Sequence, residues 1–238
     1  MSAPTSNEPR YRQVYAAVME RIFAGELGPG AMLPSEVDLG AQLGVSQGTA
    51  RKALMDLERD GVVERRQGKG TFVAATTAER ALFQFFRLRT RAGEPVVPEL
   101  VSERLRKRKP LAREAALLAE DVGSVVEIAR ARSISGANLI RETLVLPATF
   151  YPGLMERAPL PNTLYVLYQQ AFGISIVKAS EQLRAVLATV EDAATLEVKP
   201  GEPMMEVQRQ AHDLQGRVVE LRTSRYVTRD LHYAVELG

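Results

Sequence analysis

The stretch that decides the N-terminal fold is residues 33–73, LPSEVDLGAQLGVSQGTARKALMDLERDGVVERRQGKGTFV. Ser35 can cap a helix that ends at Gly44, a residue suited to a left-handed C-terminal cap. After a turn of only two residues, Ser46 can cap a further helix that ends at Asp60-Gly61. Two short helices joined by a tight, glycine-containing turn predict a helix-turn-helix.

Apolar periodicity extends this prediction in both directions. Val14, Val18 and Ile22 recur on one face of a predicted helix over Tyr11–Ala24. The second helix is expected to bury Leu39 and Leu43. The third is expected to bury Ala50, Ala53, Leu54 and Leu57.

A basic hairpin follows the third helix. Val62-Val63 and Thr71–Val73 are β-rich and flank a tip that contains Arg65, Arg66, Lys69 and two glycines. The glycines would let the backbone lie close to DNA, while the cations contact phosphates or the minor groove. The order of helix, helix-turn-helix and basic hairpin therefore predicts a winged helix-turn-helix.

The first turn of such a recognition helix enters the major groove. Gln47 can pair with adenine through two hydrogen bonds, and Arg51 can bind guanine or a phosphate. Residues 1–75 hold nine basic and nine acidic side chains, so DNA affinity must come from placement and not from bulk charge. The residues expected to contact DNA are Ser35, Glu36, Ser46, Gln47, Gly48, Thr49, Arg51, Lys52, Arg65, Arg66, Gly68, Lys69 and Gly70.

These motifs resemble the GntR-type winged helix-turn-helix. The matching segments are Leu33-Pro34-Ser35-Glu36, Leu43-Gly44-Val45-Ser46, Thr49-Ala50-Arg51-Lys52-Ala53-Leu54 and Gly68-Lys69-Gly70-Thr71-Phe72-Val73. The resemblance implies a homodimer that binds a palindromic double-stranded DNA operator. The family usually has arginine where this chain has Gln47, so the operator sequence is expected to differ from the family's usual one.

The chain is expected to have two domains. We predict a disordered leader over residues 1–10, the winged domain over 11–75, a linker over 76–84 and a second domain over 85–238. The second domain mixes predicted helices with hairpins, which indicates an α+β fold with an antiparallel sheet. Its predicted helices are Pro110–Glu120, Asn162–Phe172 and Glu191–Val198; its predicted strands are Val125–Ile134, Leu139–Leu146, Ile174–Leu187, Met204–Asp213 and Val218–Val227.

Arginines on apolar strand faces suggest a binding pocket in the second domain. Arg130 and Arg132 point the same way, because side chains two apart in a strand share a face. Burying two guanidinium groups is costly unless anions or acids pair with them. Either a bound anion satisfies them, or Glu142 and Glu220 form an internal salt-bridge ladder; the residues alone leave both interpretations open.

A second resemblance is carried by Phe85, Gly93, Arg130-Ala131-Arg132, Glu142 before Leu146-Pro147, Thr163-Leu164-Tyr165, Glu181, and Glu220 with Arg225-Tyr226. In these residues the second domain resembles the UTRA effector-binding domain of the HutC-type branch, which implies a fold similar to chorismate lyase. In relatives that sense phosphosugars, a serine or threonine that helps hold the phosphate occupies the position of Phe86. The resemblance therefore implies an effector that bears a carboxylate or another anion and is partly apolar. The effector-binding residues that it implies are Phe86, Arg130, Arg132, Glu142, Thr163, Tyr165, Glu181, Glu220 and Tyr226.

Composition excludes several classes of function. The chain contains no cysteine and only two histidines, His212 and His232, so we expect no metal site, no cofactor and no thiol chemistry. No apolar run is long enough to cross a membrane and no signal peptide is evident, so a cytoplasmic location is expected.

The favoured function is a sequence-specific transcriptional regulator controlled by a small-molecule effector, and we expect it to be a repressor. Two alternatives stay open: a dimeric DNA-binding protein that needs no ligand, and an enzyme similar to chorismate lyase, for which we find no catalytic residues. The basic run Arg104–Lys109 is interpreted as a solvated strand end, and His212 and Asp213 as surface residues.

Overall fold

The computed structural model describes residues 9–75, 86–118 and 122–235. The chain divides into two compact units, Met1–Ala75 and Thr76–Gly238. Most of the predicted leader and all of the predicted linker over 76–84 lie outside the described residues, as does Phe85. Among the described residues, no helix has both the length and the apolar character needed to span a membrane.

The first unit consists of three helices followed by a two-stranded hairpin. The elements are α1 (Arg10–Phe23), α2 (Glu36–Leu43), α3 (Gln47–Arg59), β1 (Val63–Arg66) and β2 (Gly70–Val73). The strands β1 and β2 pair antiparallel. The buried side chains that hold the helices together include Val14, Val18, Leu33, Leu39, Ala50, Ala53, Leu54 and Leu57.

The predicted caps of the helix-turn-helix are present. The Ser35 hydroxyl accepts a hydrogen bond from the Asp38 amide, and the Ser46 hydroxyl accepts one from the Thr49 amide, each at 3.2 Å. Gly44 ends α2 with φ 65°, a left-handed conformation that favours glycine. The prediction for Leu43 is wrong: it is 38% exposed, because it is the last helical residue before the chain reverses.

The turn between α2 and α3 requires a glycine inside α2. A Cβ atom on Gly40 would lie 2.9 Å from the carbonyl oxygen of Val45. The Val45 amide in turn donates a hydrogen bond to the Gly40 carbonyl at 2.9 Å. The tight turn is therefore possible because no side chain separates these two backbone segments.

The second unit is built on a six-stranded antiparallel sheet with the order β4-β5-β6-β9-β8-β7, so β4 and β7 are its edges. A separate two-stranded sheet joins β3 to β10. The strands are β3 (Leu88–Thr90), β4 (Glu99–Arg108), β5 (Val125–Ile134), β6 (Ala137–Pro147), β7 (Ile176–Leu187), β8 (Pro203–Asp213), β9 (Val218–Tyr226) and β10 (Leu231–Tyr233). The helices are α4 (Ala112–Ala115), α5 (Leu164–Phe172) and α6 (Val190–Thr195), with a 3-10 turn at Met155–Arg157.

The α+β architecture with an antiparallel sheet agrees with the prediction, but several details differ. The helix predicted over Pro110–Glu120 is only one turn, Ala112–Ala115, within the described residues. The helix predicted over Glu191–Val198 ends at Thr195, since Leu196 is extended. Residues 104–108 form the end of strand β4, in agreement with their interpretation as a strand end, but the rest of this strand was not predicted. Arg106 and Arg108 pair with Glu127.

One residue assigned to the surface is in fact buried. Asp213 is only 3% exposed, because it closes the turn between β8 and β9. Its carboxylate accepts hydrogen bonds from the backbone amides of Gln215 and Arg217, at 3.0 and 2.9 Å. Burial here follows from a local turn that the sequence alone did not reveal.

Candidate functional sites

The predicted DNA-contacting residues of the first unit lie on the recognition helix, on the N-terminus of α2 and on the wing. All of them are exposed except Glu36 and Thr49, which are half-buried. Gln47, Gly48, Thr49, Arg51 and Lys52 occupy the first two turns of α3. Lys52 lies over the Tyr11 ring, 4.5 Å from its centre, so α1 packs beside the recognition helix.

Glu36 connects these three elements. Its carboxylate accepts a long hydrogen bond of 3.5 Å from the side-chain amide of Gln47 and another of 3.2 Å from the Arg65 guanidinium. Arg65 also lies 3.2 Å from Glu58, and the guanidinium of Arg66 binds Glu64 at 2.7 Å. The wing arginines are therefore already paired with glutamates. To contact DNA they would have to leave these glutamates and bind phosphates instead.

The second unit contains a cavity of about 50 Å³ above the middle of the sheet. Strands β5, β6, β8 and β9 supply its floor, and the chain before and within α5 supplies one wall. Its lining residues are Phe86, Arg130, Arg132, Glu142, Asn162, Thr163, Leu164, Tyr165, Val207, Arg209, Arg222, Ser224 and Tyr226. A space of this size holds only a few water molecules, so a larger ligand would have to displace side chains.

Seven of the nine predicted effector-binding residues line this cavity: Phe86, Arg130, Arg132, Glu142, Thr163, Tyr165 and Tyr226. The other two lie behind it. Glu220 is fully buried and Glu181 holds Arg209 from the edge strand, at 2.5 Å. Arg209 lines the cavity but was not predicted to do so. It shares a strand face with Val207 by the same two-residue rule that identified Arg130 and Arg132.

Four arginines line the cavity: Arg130, Arg132, Arg209 and Arg222. Acidic side chains lie close to three of them. Glu103 pairs with Arg130 at 2.5 Å, Glu181 with Arg209 at 2.5 Å and Glu220 with Arg222 at 3.0 Å. The predicted ladder is thus partly present, but Glu103, which belongs to the missed strand β4, supplies one of its acids. These buried pairs fix the geometry of the site.

Glu220 is the most strongly bound of the buried acids. It accepts two hydrogen bonds from Arg222, both at 3.0 Å, and the hydroxyls of Tyr165 and Tyr168 donate to it at 3.1 and 2.8 Å. Burial together with the nearby charge of Glu220 raises the pKa of Tyr165 to about 12. Tyr165 is therefore a neutral hydroxyl at the cavity wall.

Arg132 is less completely neutralised than the other three arginines. Its closest acid is Glu142, at 3.5 Å, and its remaining contacts are to the Pro98 carbonyl and the Asn162 side chain. Its buried Nε atom has no hydrogen-bond partner among the residues that the structure describes. Burial lowers the pKa of Arg132, and the charge of Glu142 offsets only part of this effect.

Glu142 shows the opposite balance. Burial alone would raise the pKa of its carboxyl group, but the charges of Arg132 and Arg222 outweigh burial, so the pKa lies below the ordinary value. The carboxylate lies 3.5 and 3.7 Å from these two guanidinium groups. The cavity lining thus carries four guanidinium groups and the carboxylate of Glu142. Because acids outside the lining neutralise three of the four, Arg132 is the group that best suits an anionic ligand.

A winged helix-turn-helix joined to a domain with a charged, partly apolar cavity defines a class of protein, the ligand-responsive transcriptional regulators. Two family models match the chain: "Bacterial regulatory proteins, gntR family" over residues 10–73 and "UTRA domain" over residues 100–232. The chain belongs to the GntR family of transcriptional regulators, in the group whose effector-binding domain is of the UTRA type. The family therefore indicates a regulator and not an enzyme.

Full-length relatives and solved structures agree with this assignment. The chain is 25% identical to the mannosyl-D-glycerate transport/metabolism system repressor of Escherichia coli, over 96% of both chains. It is 26% identical to the histidine utilization repressor of Klebsiella aerogenes, over 87% of this chain and 85% of that one.

Among solved structures, the ligand-binding domain of a GntR-family regulator from Bordetella bronchiseptica is 32% identical. The match has a TM-score of 0.58 and covers 65% of this chain and 98% of that one. PhnF from Mycobacterium smegmatis is 26% identical, with a TM-score of 0.55, over 94% of this chain and 99% of that one. The chain is thus a DNA-binding transcriptional regulator with a small-molecule effector domain.

Proposed function

We propose that this regulator is a dimeric repressor that leaves a palindromic operator when a small organic anion binds in the cavity of its second unit. Arg132 is the observation that supports the anion most directly. Its guanidinium is buried beside the cavity, its nearest acid is 3.5 Å away and its Nε lacks a partner within the described part of the chain. A carboxylate placed there would supply both the missing charge and the missing hydrogen-bond acceptor.

The rest of the cavity sets the class of anion. Phe86, Leu164 and Val207 give it apolar walls, and the Phe86 ring lies 5.7 Å from the Arg132 guanidinium. Thr163, Ser224 and the neutral Tyr165 hydroxyl add hydrogen-bonding groups that carry no charge. The favoured effector is therefore a compact carboxylic acid with an apolar portion, in preference to a sugar phosphate.

In the first unit, Gln47 and Arg51 would read base edges. Ser35, Glu36, Ser46, Gly48, Thr49 and Lys52 would position α2 and α3 on the duplex. On the wing, Arg65, Arg66, Gly68, Lys69 and Gly70 would contact the backbone or the minor groove. In the absence of DNA, Glu36 binds both Gln47 of α3 and Arg65 of the wing. Its carboxylate would therefore hold these two side chains in place before DNA binds. We also propose that the winged domain spans residues 11–75, the linker residues 76–84 and the effector-binding domain residues 85–238.

Operator binding is tested by fluorescence anisotropy on DNA upstream of the chain's own gene and its neighbours, with a scrambled duplex as control. We expect specific binding about 1000-fold tighter than binding to the control, with affinity that falls as salt rises. Arg51→Ala should weaken binding by about 10- to 100-fold. Arg59→Ala, at the far end of the same helix and paired with Asp56, should leave affinity nearly unchanged.

Effector control is tested by calorimetry against a panel of carboxylic acids and sugar phosphates, followed by addition of any ligand to the operator complex. Binding of a carboxylic acid, release of DNA and loss of both effects in Arg132→Ala would support the proposal. Arg104→Ala, an exposed arginine of the same unit, is the matched control. If a ligand bound equally well to Arg132→Ala, the assigned anchor would be wrong; if no ligand altered operator binding, the chain would act independently of effectors.

A further inference from the structure

Glu142 lies among the arginines of the cavity, yet none of the four that line it has Glu142 as a short ion-pair partner. In the register of the sheet, Glu142 stands directly opposite Arg130. Arg130 nevertheless binds Glu103, at 2.5 Å. Arg222 likewise makes two hydrogen bonds of 3.0 Å to Glu220 and stays 3.7 Å from Glu142. The carboxylate of Glu142 is therefore surrounded by cations whose closest acids are other residues.

The contacts that Glu142 makes within the described residues are all long. Ser224 donates a hydrogen bond at 3.3 Å, and the nearest guanidinium nitrogens, from Arg132 and Arg222, lie at 3.5 and 3.7 Å. Charge-assisted hydrogen bonds are ordinarily about 2.7 to 2.9 Å long, and a carboxylate offers about four lone-pair positions. Glu142 is only 2% exposed, so water does not make up for the missing short contacts. The group therefore retains capacity for a closer donor inside the cavity.

Arg132 is in the matching position with the opposite charge. Its Nε has no hydrogen-bond partner among the residues that the structure describes, and its guanidinium lies 3.5 Å from Glu142. The other three arginines of the lining have close acids. Over the described part of the chain, the lining thus leaves one cation and one anion side by side, each able to bind a ligand group.

A ligand that carries only a negative charge fits this pair poorly. A carboxylate bound to Arg132 would lie close to the carboxylate of Glu142. Like charges repel strongly in a buried site, because little water screens them. A ligand that also carries a cationic N–H group would remove this repulsion, since that group would donate to Glu142. The pair therefore favours a molecule that carries both signs of charge.

We propose that the effector is an α-amino acid with an apolar side chain, whose carboxylate binds Arg132 and whose ammonium group binds Glu142. This inference rests on the carboxylate of the proposed function and adds a second charged group to the same ligand. An α-amino acid carries both groups on one carbon atom, so it presents its charges side by side, as Arg132 and Glu142 do. Phe86, Leu164 and Val207 would contact its side chain.

The test compares amino acids with the same molecules lacking one charge. Calorimetry on the full-length protein would use L-valine with isovalerate, L-leucine with isocaproate, and L-phenylalanine with hydrocinnamate. The second member of each pair keeps the carboxylate and the apolar chain but has no ammonium group. L-leucinamide keeps the ammonium group and has no carboxylate. Each ligand that binds is then added to the operator complex.

We expect an amino acid to bind about 10- to 100-fold more tightly than its deaminated partner, a factor typical of a hydrogen bond to a charged group, and to release the operator. L-leucinamide should not bind. Glu142→Gln should remove most of the difference within a pair, because it weakens binding of the amino acid and relieves the repulsion of the deaminated acid. Arg132→Ala should abolish binding of both.

The ratio of the two affinities separates ligand contact from a structural role of Glu142. If Glu142 only held the cavity together, Glu142→Gln would weaken both members of a pair alike and leave their ratio unchanged. Glu94→Gln, an exposed acid of the same unit, is the matched control and should change neither affinity. Thermal unfolding of each variant checks that the fold is retained.

Two kinds of result would overturn the inference, and they are distinguishable. If deaminated acids bound as tightly as amino acids, if Glu142→Gln left the ratio unchanged, or if only carboxylic acids without an amino group bound, the ammonium site would be wrong. The regulator controlled by an organic anion would then stand. If no carboxylic acid of either kind bound or altered operator binding, the inference and the proposed effector class would both fail.

Discussion

The two units use charge in opposite ways. In the first, the charged residues assigned to DNA contact are mostly exposed. Their contacts with acidic side chains are partly open to solvent, as in the pair of Arg65 with Glu36. In the second, Arg130, Arg132 and Glu220 are at most 4% exposed and closely surrounded. A DNA-binding surface must exchange its partners for phosphates, whereas a ligand cavity must hold its charges in fixed positions before the ligand arrives. The comparison predicts that charge changes destabilise the second unit far more than the first.

Removing the charge of Glu220 should have the largest effect. Glu220→Gln leaves the Arg222 guanidinium buried without its close acid, which typically costs about 3 to 5 kcal/mol of unfolding free energy. Chemical denaturation should show the loss in the transition of the second unit. Glu94→Gln, an exposed acid in the same unit, should change stability by less than about 0.5 kcal/mol; an equally small effect of Glu220→Gln would contradict the comparison.

The free energy of unfolding should also decline at low pH, because Glu142 becomes protonated, and this decline should be smaller than the loss caused by Glu220→Gln. The pKa of Glu142 in the folded protein lies below the ordinary value of 4.5, so its contribution to stability is present above pH 4.5 and is lost as pH falls further. Below pH 4.5 the unfolded state binds more protons than the folded state, and unfolding is favoured. In denaturation between pH 6 and pH 3, Glu142→Gln should show a shallower decline in stability than the unmodified protein. An unchanged slope would show that Glu142 does not titrate as its surroundings indicate.

In the first unit, the largest effect should come from backbone packing and not from charge. Gly40→Ala places a methyl group 2.9 Å from the Val45 carbonyl oxygen, and such overpacking typically costs about 1 to 3 kcal/mol. Gly48→Ala is the matched helical control, because a Cβ atom on Gly48 would lie 4.0 Å from its nearest neighbour, the Ser46 hydroxyl. Thermal unfolding should separate the two variants; similar stabilities would show that the turn can relax.

The same contrast explains how much of the molecule could be predicted from sequence. The helix-turn-helix depends on local signals. Ser35 and Ser46 each stand directly before a helix and accept a hydrogen bond from the backbone amide three residues further on, and Gly44 ends the first of these helices. The cavity depends on distant partners. Arg130 is paired with Glu103 across 27 positions, and the missed strand β4 carries that acid. Strand-face alternation placed Arg130 and Arg132 together in the prediction, and the resemblance to the UTRA domain implied the other predicted cavity residues. Neither could tell which acid neutralises which arginine, because that depends on strand order.

The smallest effect should come from a local cap. Ser46→Ala removes the hydroxyl that accepts a hydrogen bond from the Thr49 amide at 3.2 Å, and loss of such a cap typically costs about 1 kcal/mol.

Ser46→Asp should restore the cap, because aspartate is an equally good N-cap and its charge favours the helix N-terminus. The two variants then separate stability from recognition: Ser46→Asp should fold as well as the unmodified protein in thermal unfolding. It should nevertheless bind operator more weakly than Ser46→Ala, since its carboxylate would face the phosphates. If Ser46→Asp bound operator as tightly as the unmodified protein, this end of α3 would not approach the DNA backbone, and the assigned orientation of the recognition helix would be wrong.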